Sequence, residues 1–141
     1  MGIAMKNPSG ARKGGRKKEA DNPKKTILIY SPDLNLCFSL SSLFQDRYNV
    51  ITTTNAGMLE TSVKHYAADL LILDCVPSEE TLAHLDYLKG FNRGFPIIML
   101  YVYNPKGNQF ESRVRDVVDS VFYKPFDIAL LSKRIGDLLS V

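Results

Sequence analysis

The chain has 141 residues, 45% of them apolar, and a formal net charge of +3. That length suits one domain with room for a tail. No apolar run approaches the roughly 20 residues of a membrane span, and the N-terminus lacks the apolar segment of a secretory signal. Cys37 and Cys75 are too few to imply a disulfide framework, and both lie in apolar surroundings, which points to a reducing, cytoplasmic setting. His65 and His84 have no second Cys or His at ligand spacing. They read as helix-surface residues, and no zinc site is expected.

The charge is unevenly spread. Residues 1–25 carry eight Lys and Arg against Glu19 and Asp21, so the tail is +6 and the remainder −3. After Met5 this tail has almost no apolar residues. It cannot bury enough surface to offset its ordering entropy, and alone it is expected to be disordered. The domain is therefore read as residues 26–141. Across residues 6–25, and densest in Arg12-Lys13-Gly14-Gly15-Arg16-Lys17-Lys18, the basic charge suits nucleic acid, an acidic protein surface or anionic lipid, or simply solubility.

Thr26 to Tyr30 reads as a buried first strand. Ser31 as N-cap and Pro32 at the first helical position predict a helix starting there, with Leu36, Leu40, Leu43 and Phe44 as its inner stripe. Asn49 to Thr54 is a β-branched second strand. Met58 to Tyr66 is a second helix with Leu59, Val63 and Tyr66 on one face. Asp69-Leu70-Leu71-Ile72-Leu73-Asp74 is an uninterrupted apolar run between aspartates, as in a strand buried on both faces. Ser78 caps a third helix with Leu82, Leu85 and Leu88 inward, broken by Gly90, Asn92 and Gly94. Pro96 to Val102 is a fourth strand, and Asn104 to Asn108 a turn. Gln109 to Val118 forms a fourth helix, Ser120 to Tyr123 a fifth strand, and Ile128, Leu131, Ile135, Leu138 and Leu139 mark a last helix.

Strands and helices alternating five times predict an α/β fold with a doubly wound five-stranded parallel sheet. The flavodoxin-like order 2-1-3-4-5 is the common solution. It places Asp74 at the carboxyl end of a central strand, where such sheets have their ligand crevice, beside the Ser31 loop. A carboxylate there can serve chemistry, cap a loop or pair with a lysine.

Residues 25–141 resemble a receiver domain of bacterial two-component response regulators. Asp69 to Asp74 followed by Pro77, Phe95-Pro96-Ile97-Ile98-Met99-Leu100, and Tyr123-Lys124-Pro125-Phe126 carry the resemblance. It implies that the Asp74 position accepts a phosphoryl group from a histidine kinase. It implies Mg²⁺ held by this aspartate, by an acidic pair after the first strand and by a backbone carbonyl just beyond the aspartate. It also implies a Thr or Ser ending the fourth strand, and a Lys before a Pro, commonly a cis one, that bonds the phosphoryl group. Asp74, Lys124 and Pro125 match. The acidic pair does not: its positions hold Ser31 and Pro32, with Asp33 one place beyond, in the first helical turn. Tyr101 replaces the Thr or Ser. Val121 occupies the aromatic switch position of the fifth strand. Cys75-Val76-Pro77 is one residue short of the usual spacing.

Mg²⁺ wants near-octahedral oxygen ligands including carboxylates, and phosphoryl transfer needs a cation to neutralise developing charge. With Ser31 neutral and Pro32 lacking a side-chain oxygen, no cofactor is expected. Tyr101 should fill or cover the crevice, leaving Lys124 to pair with Asp74. The expected function is a stand-alone pseudo-receiver, not an enzyme, that docks a protein partner through the fourth helix, fifth strand and fifth helix. Phe110, Val114, Val117, Val121, Phe122 and Tyr123 fall in or near that face, and several of them must be core. One alternative is a divergent response regulator of a phosphorelay, phosphorylated on Asp74 with Asp33 as a lone Mg²⁺ ligand. Another is a nucleic-acid or acidic-partner binder acting through the tail. No helix-turn-helix is left for a transcription factor, and flavin binding would lack its phosphate loop.

Overall fold

The computed structural model describes residues 23–92 and 94–140. The basic cluster of the tail lies outside them. Five strands, β1 (Thr26–Tyr30), β2 (Asn49–Thr53), β3 (Leu70–Asp74), β4 (Ile97–Val102) and β5 (Ser120–Lys124), form one parallel sheet in the order β2-β1-β3-β4-β5. The helices are α1 (Leu34–Phe44), α2 (Leu59–Tyr66), α3 (Glu79–Phe91), α4 (Glu111–Val117) and α5 (Ile128–Leu139).

The apolar strand runs are long because both faces of the sheet are covered. Alternate residues feed two cores. Leu71, Leu73, Ile97 and Met99 pack with Leu59, Leu85, Leu88 and Val114 under α2, α3 and α4. Ile27, Ile29, Ile72 and Ile98 pack with Leu40, Phe44, Leu131 and Ile135 under α1 and α5. Asp69 and Asp119 seal the amino ends of the sheet. Asp69 accepts from the Thr26 amide and Asp119 from the Ile97 amide, each at 2.8 Å. Asp74 lies at the opposite end.

The first helix starts later than Ser31-Pro32 suggests. Ser31 donates its hydroxyl to Asp74, and its oxygen accepts from the Asp33 amide, ahead of α1, rather than from a helix amide. Asp33 takes the cap position, its carboxylate accepting from the Asn35 and Leu36 amides. Asp33 is thus the cap, not a first-turn residue. The buried stripe of α1 runs through Cys37, Leu40 and Phe44 with Leu36 beside it, and Leu43 is 52% exposed. A 3₁₀ turn at Ala56–Met58 precedes α2. Tyr66 leaves the inner face because α2 ends there, with Ala67 in the left-handed conformation (φ 51°). Gly90 is accommodated inside α3, which stops at Phe91. The fourth helix spans only Glu111–Val117, since Asn108 caps a tight turn onto Phe110 instead of opening the helix.

Candidate functional site

The carboxyl ends of β1, β3, β4 and β5 surround a crevice of about 320 Å³ lined by Tyr30, Pro32, Asp33, Asp74, Val76, Tyr101, Val102 and Lys124, among others. Asp74 is 5% exposed at its floor. Burying a carboxylate is costly unless it is paired and hydrogen-bonded. Here both oxygens are engaged. Lys124 Nζ donates to Oδ1 at 2.8 Å, and Ser31 Oγ donates to Oδ2 at 2.6 Å. The short second contact is typical of a hydroxyl bonded to a charged oxygen. The Ser31 oxygen in turn accepts from the Asp33 amide at 2.9 Å, so this fully buried hydroxyl both donates and accepts.

The Lys124–Pro125 peptide is cis, at the end of β5 from which Lys124 reaches the floor. Just beyond Asp74, the Val76 carbonyl accepts from Thr81 Oγ1 at 2.8 Å. The Asp33 carboxylate lines the crevice but is committed to the α1 amides. Both Asp74 oxygens, the Val76 carbonyl and Asp33 Oδ1 are therefore engaged by a lysine, a serine, a threonine and a helix end. Among the described residues no three Asp, Glu, His or Cys side chains cluster where they could hold a metal. A second carboxylate beside Asp74 is missing, and this donor set does not fit Mg²⁺.

Tyr101 is almost wholly buried, and it lines the crevice rather than lying across it. Its hydroxyl turns away from Asp74 and donates to Glu111 Oε2 on α4 at 2.7 Å. Tyr123, its register partner on β5, donates to the same oxygen at 2.6 Å. Arg115 adds a donor to the Tyr123 oxygen at 2.6 Å and an ion pair to Glu111 at 3.5 Å. The two tyrosine donors hold the Glu111 carboxyl below its ordinary range. Burial, then the Glu111 bond, pushes the Tyr101 phenol well above its own. This network clamps α4 to the sheet. Sequence reading assigned Tyr101 to the crevice but missed Glu111 and Arg115, whose i,i+4 spacing is the only local signal.

Val121 pairs with Met99 and packs, half-buried, into the core under α4. Val114 is wholly buried, and Phe122 points to the α1–α5 side. Neither can belong to a docking face on α4 and β5. Val102 and Tyr103 are exposed there instead, the Tyr103 ring 5.0 Å from that of Tyr123. His65 is exposed, whereas His84 is half-buried against Glu60 at 2.8 Å.

The sequence matches no family model and no curated protein. Solved structures do match. The N-terminal domain of the nisin resistance regulator NsrR, a lantibiotic response regulator, superposes with a TM-score of 0.71 at 20% identity, over 84% of this chain and 100% of that one. The fold is that of a receiver domain. The chemotaxis protein CheY4 of Vibrio cholerae gives 0.70 at 18% identity, over 83% and 100%. The signal receiver domain of a Bacteroides fragilis response regulator gives 0.70 at 19%, over 84% and 99%. At the corresponding crevice of this chain, Asp74 and Lys124 meet beside Ser31, Pro32 and Tyr101. Among the described residues no helix is long and apolar enough to cross a membrane.

Proposed function

We propose that this domain is an atypical receiver that signals through protein contact, without Mg²⁺-dependent phosphorylation of Asp74. The observation that carries the reading is the saturation of Asp74 by Lys124 and Ser31. An attacking carboxylate oxygen must be free and a cation must neutralise the incoming phosphoryl group. Here the lysine ammonium already lies against one carboxylate oxygen, from within the chain. Asp33 has one oxygen, Oδ1, carrying the α1 cap, and as a lone carboxylate beside Asp74 it would leave the ion short of the oxygen ligands it wants.

The partner surface we favour is α4, β5 and α5. The clamp through Glu111 keeps Tyr123 and Tyr103 in one arrangement, and rigid tyrosines beside an arginine suit an interface centre. Incubation with acetyl phosphate and Mg²⁺, followed by intact mass, tests the reading. The mass should stay unchanged. A phosphoryl adduct that disappears in Asp74→Asn would establish the competing, phosphorylatable reading.

A further inference from the structure

A second cavity, partly open to solvent, lies beside α2 and α3, next to the crevice. It has a volume of about 110 Å³, and Tyr30 and Cys75 form part of its wall as they do that of the crevice. Leu59 and Leu73 make its floor apolar, and Glu80 and His84 supply its charged edge. His84 Nδ1 lies 2.8 Å from a Glu60 carboxylate oxygen. Glu80 forms no ion pair among the described residues. Asp74 and, after it, Glu80 contribute to raising both the Tyr30 phenol and the Cys75 thiol. Burial is the main cause of both shifts and takes Cys75 to about 11. At neutral pH the cavity thus offers apolar walls, a neutral thiol, a phenol with no hydrogen-bond partner among the described residues, and, at its rim, one carboxylate with no ion pair among them.

We propose that this cavity binds a short-chain primary amine. Its alkyl group would sit between Leu59, Leu73 and the Tyr30 ring, and its ammonium would face Glu80. Size sets the class: an engineered apolar cavity of about 150 Å³ accepts benzene, so this one takes less than a phenyl ring. Charge sets the head group: a carboxylate ligand would be repelled by Glu80, whereas a primary amine is protonated at neutral pH as lysine is. A ligand of about five heavy atoms binds in the millimolar range at best efficiency short of the ceiling.

The test is a ¹H–¹⁵N titration of the full chain at pH 7 with isobutylammonium chloride, with isobutanol and ammonium chloride as controls. Saturable shifts at Leu59, Leu73 and Cys75 are expected, with the amine about five-fold tighter than the alcohol. Glu80→Gln, an exposed helix position, should erase that difference. Ala56→Leu, which grows into the cavity, should abolish binding of both. Absence of saturable shifts, equal binding of amine and alcohol by the native chain, or an undiminished preference in Glu80→Gln each overturns the proposal.

Discussion

Lys124→Met tests the crevice directly, because it removes the cation from Asp74 while keeping the length of the side chain. Breaking a buried ion pair typically costs about 3–5 kcal/mol, since one charge is left without compensation. Two features lower that figure here. The Lys124 side chain is 33% exposed, so solvent already screens the pair. Ser31 also goes on donating to Oδ2. The expected loss is about 1–3 kcal/mol, measured by urea unfolding at pH 7. Asp74→Asn in the same background removes the orphaned charge and keeps an acceptor for Ser31. The double variant should therefore be more stable than Lys124→Met alone, by about 1 kcal/mol or more. A Lys124→Met chain within about 0.5 kcal/mol of native, the range of ordinary surface changes, would refute the ion-pair argument. So would a double variant that recovers nothing.

Ser31→Asp places a second carboxylate beside buried Asp74. It should lower the melting temperature in chelator and regain part of the loss on adding Mg²⁺, which the native chain should not do. Glu111 has its carboxyl lowered from 4.5 by the two tyrosines. Its stabilisation is therefore present above the unfolded value and is lost as pH falls through the lower folded one. Glu111→Gln should flatten that acid limb and free the Tyr103 and Tyr123 amide resonances from a single environment. Ala67 sits at φ 51° as the C-cap of α2. Ala67→Gly should stabilise the chain by about 0.5–1 kcal/mol in thermal or urea unfolding, since only glycine adopts that conformation freely.

The fold was legible because hydrophobic periodicity states it directly. Leu70 to Leu73 and Ile97 to Leu100 are uninterrupted because both faces are covered. Ser78 was legible as a cap because nothing competes for its hydroxyl beyond its own helix and Thr81. Ser31 was not, because its proton goes to Asp74, 43 residues away, and its oxygen to the Asp33 amide ahead of the helix. The same displacement hid the cap role of Asp33. Leu43 and Tyr66 show the limit of spacing arguments at helix ends, where one residue of rotation exchanges core for solvent. The pairing of Asp74 with Lys124 followed from chemistry once the acidic pair was seen to be absent. The pull of Glu111 on Tyr101 did not, because a hydroxyl's direction depends on a partner no local pattern names.

The most direct measurement of the central claim is Mg²⁺ binding itself, followed through the backbone amides of Ser31, Asp74 and Val76 in a ¹H–¹⁵N titration into the millimolar range. With Asp74 held by Lys124 and Ser31, the account predicts no saturable change at those three amides. A saturable shift confined to them, lost in Asp74→Asn, would contradict it.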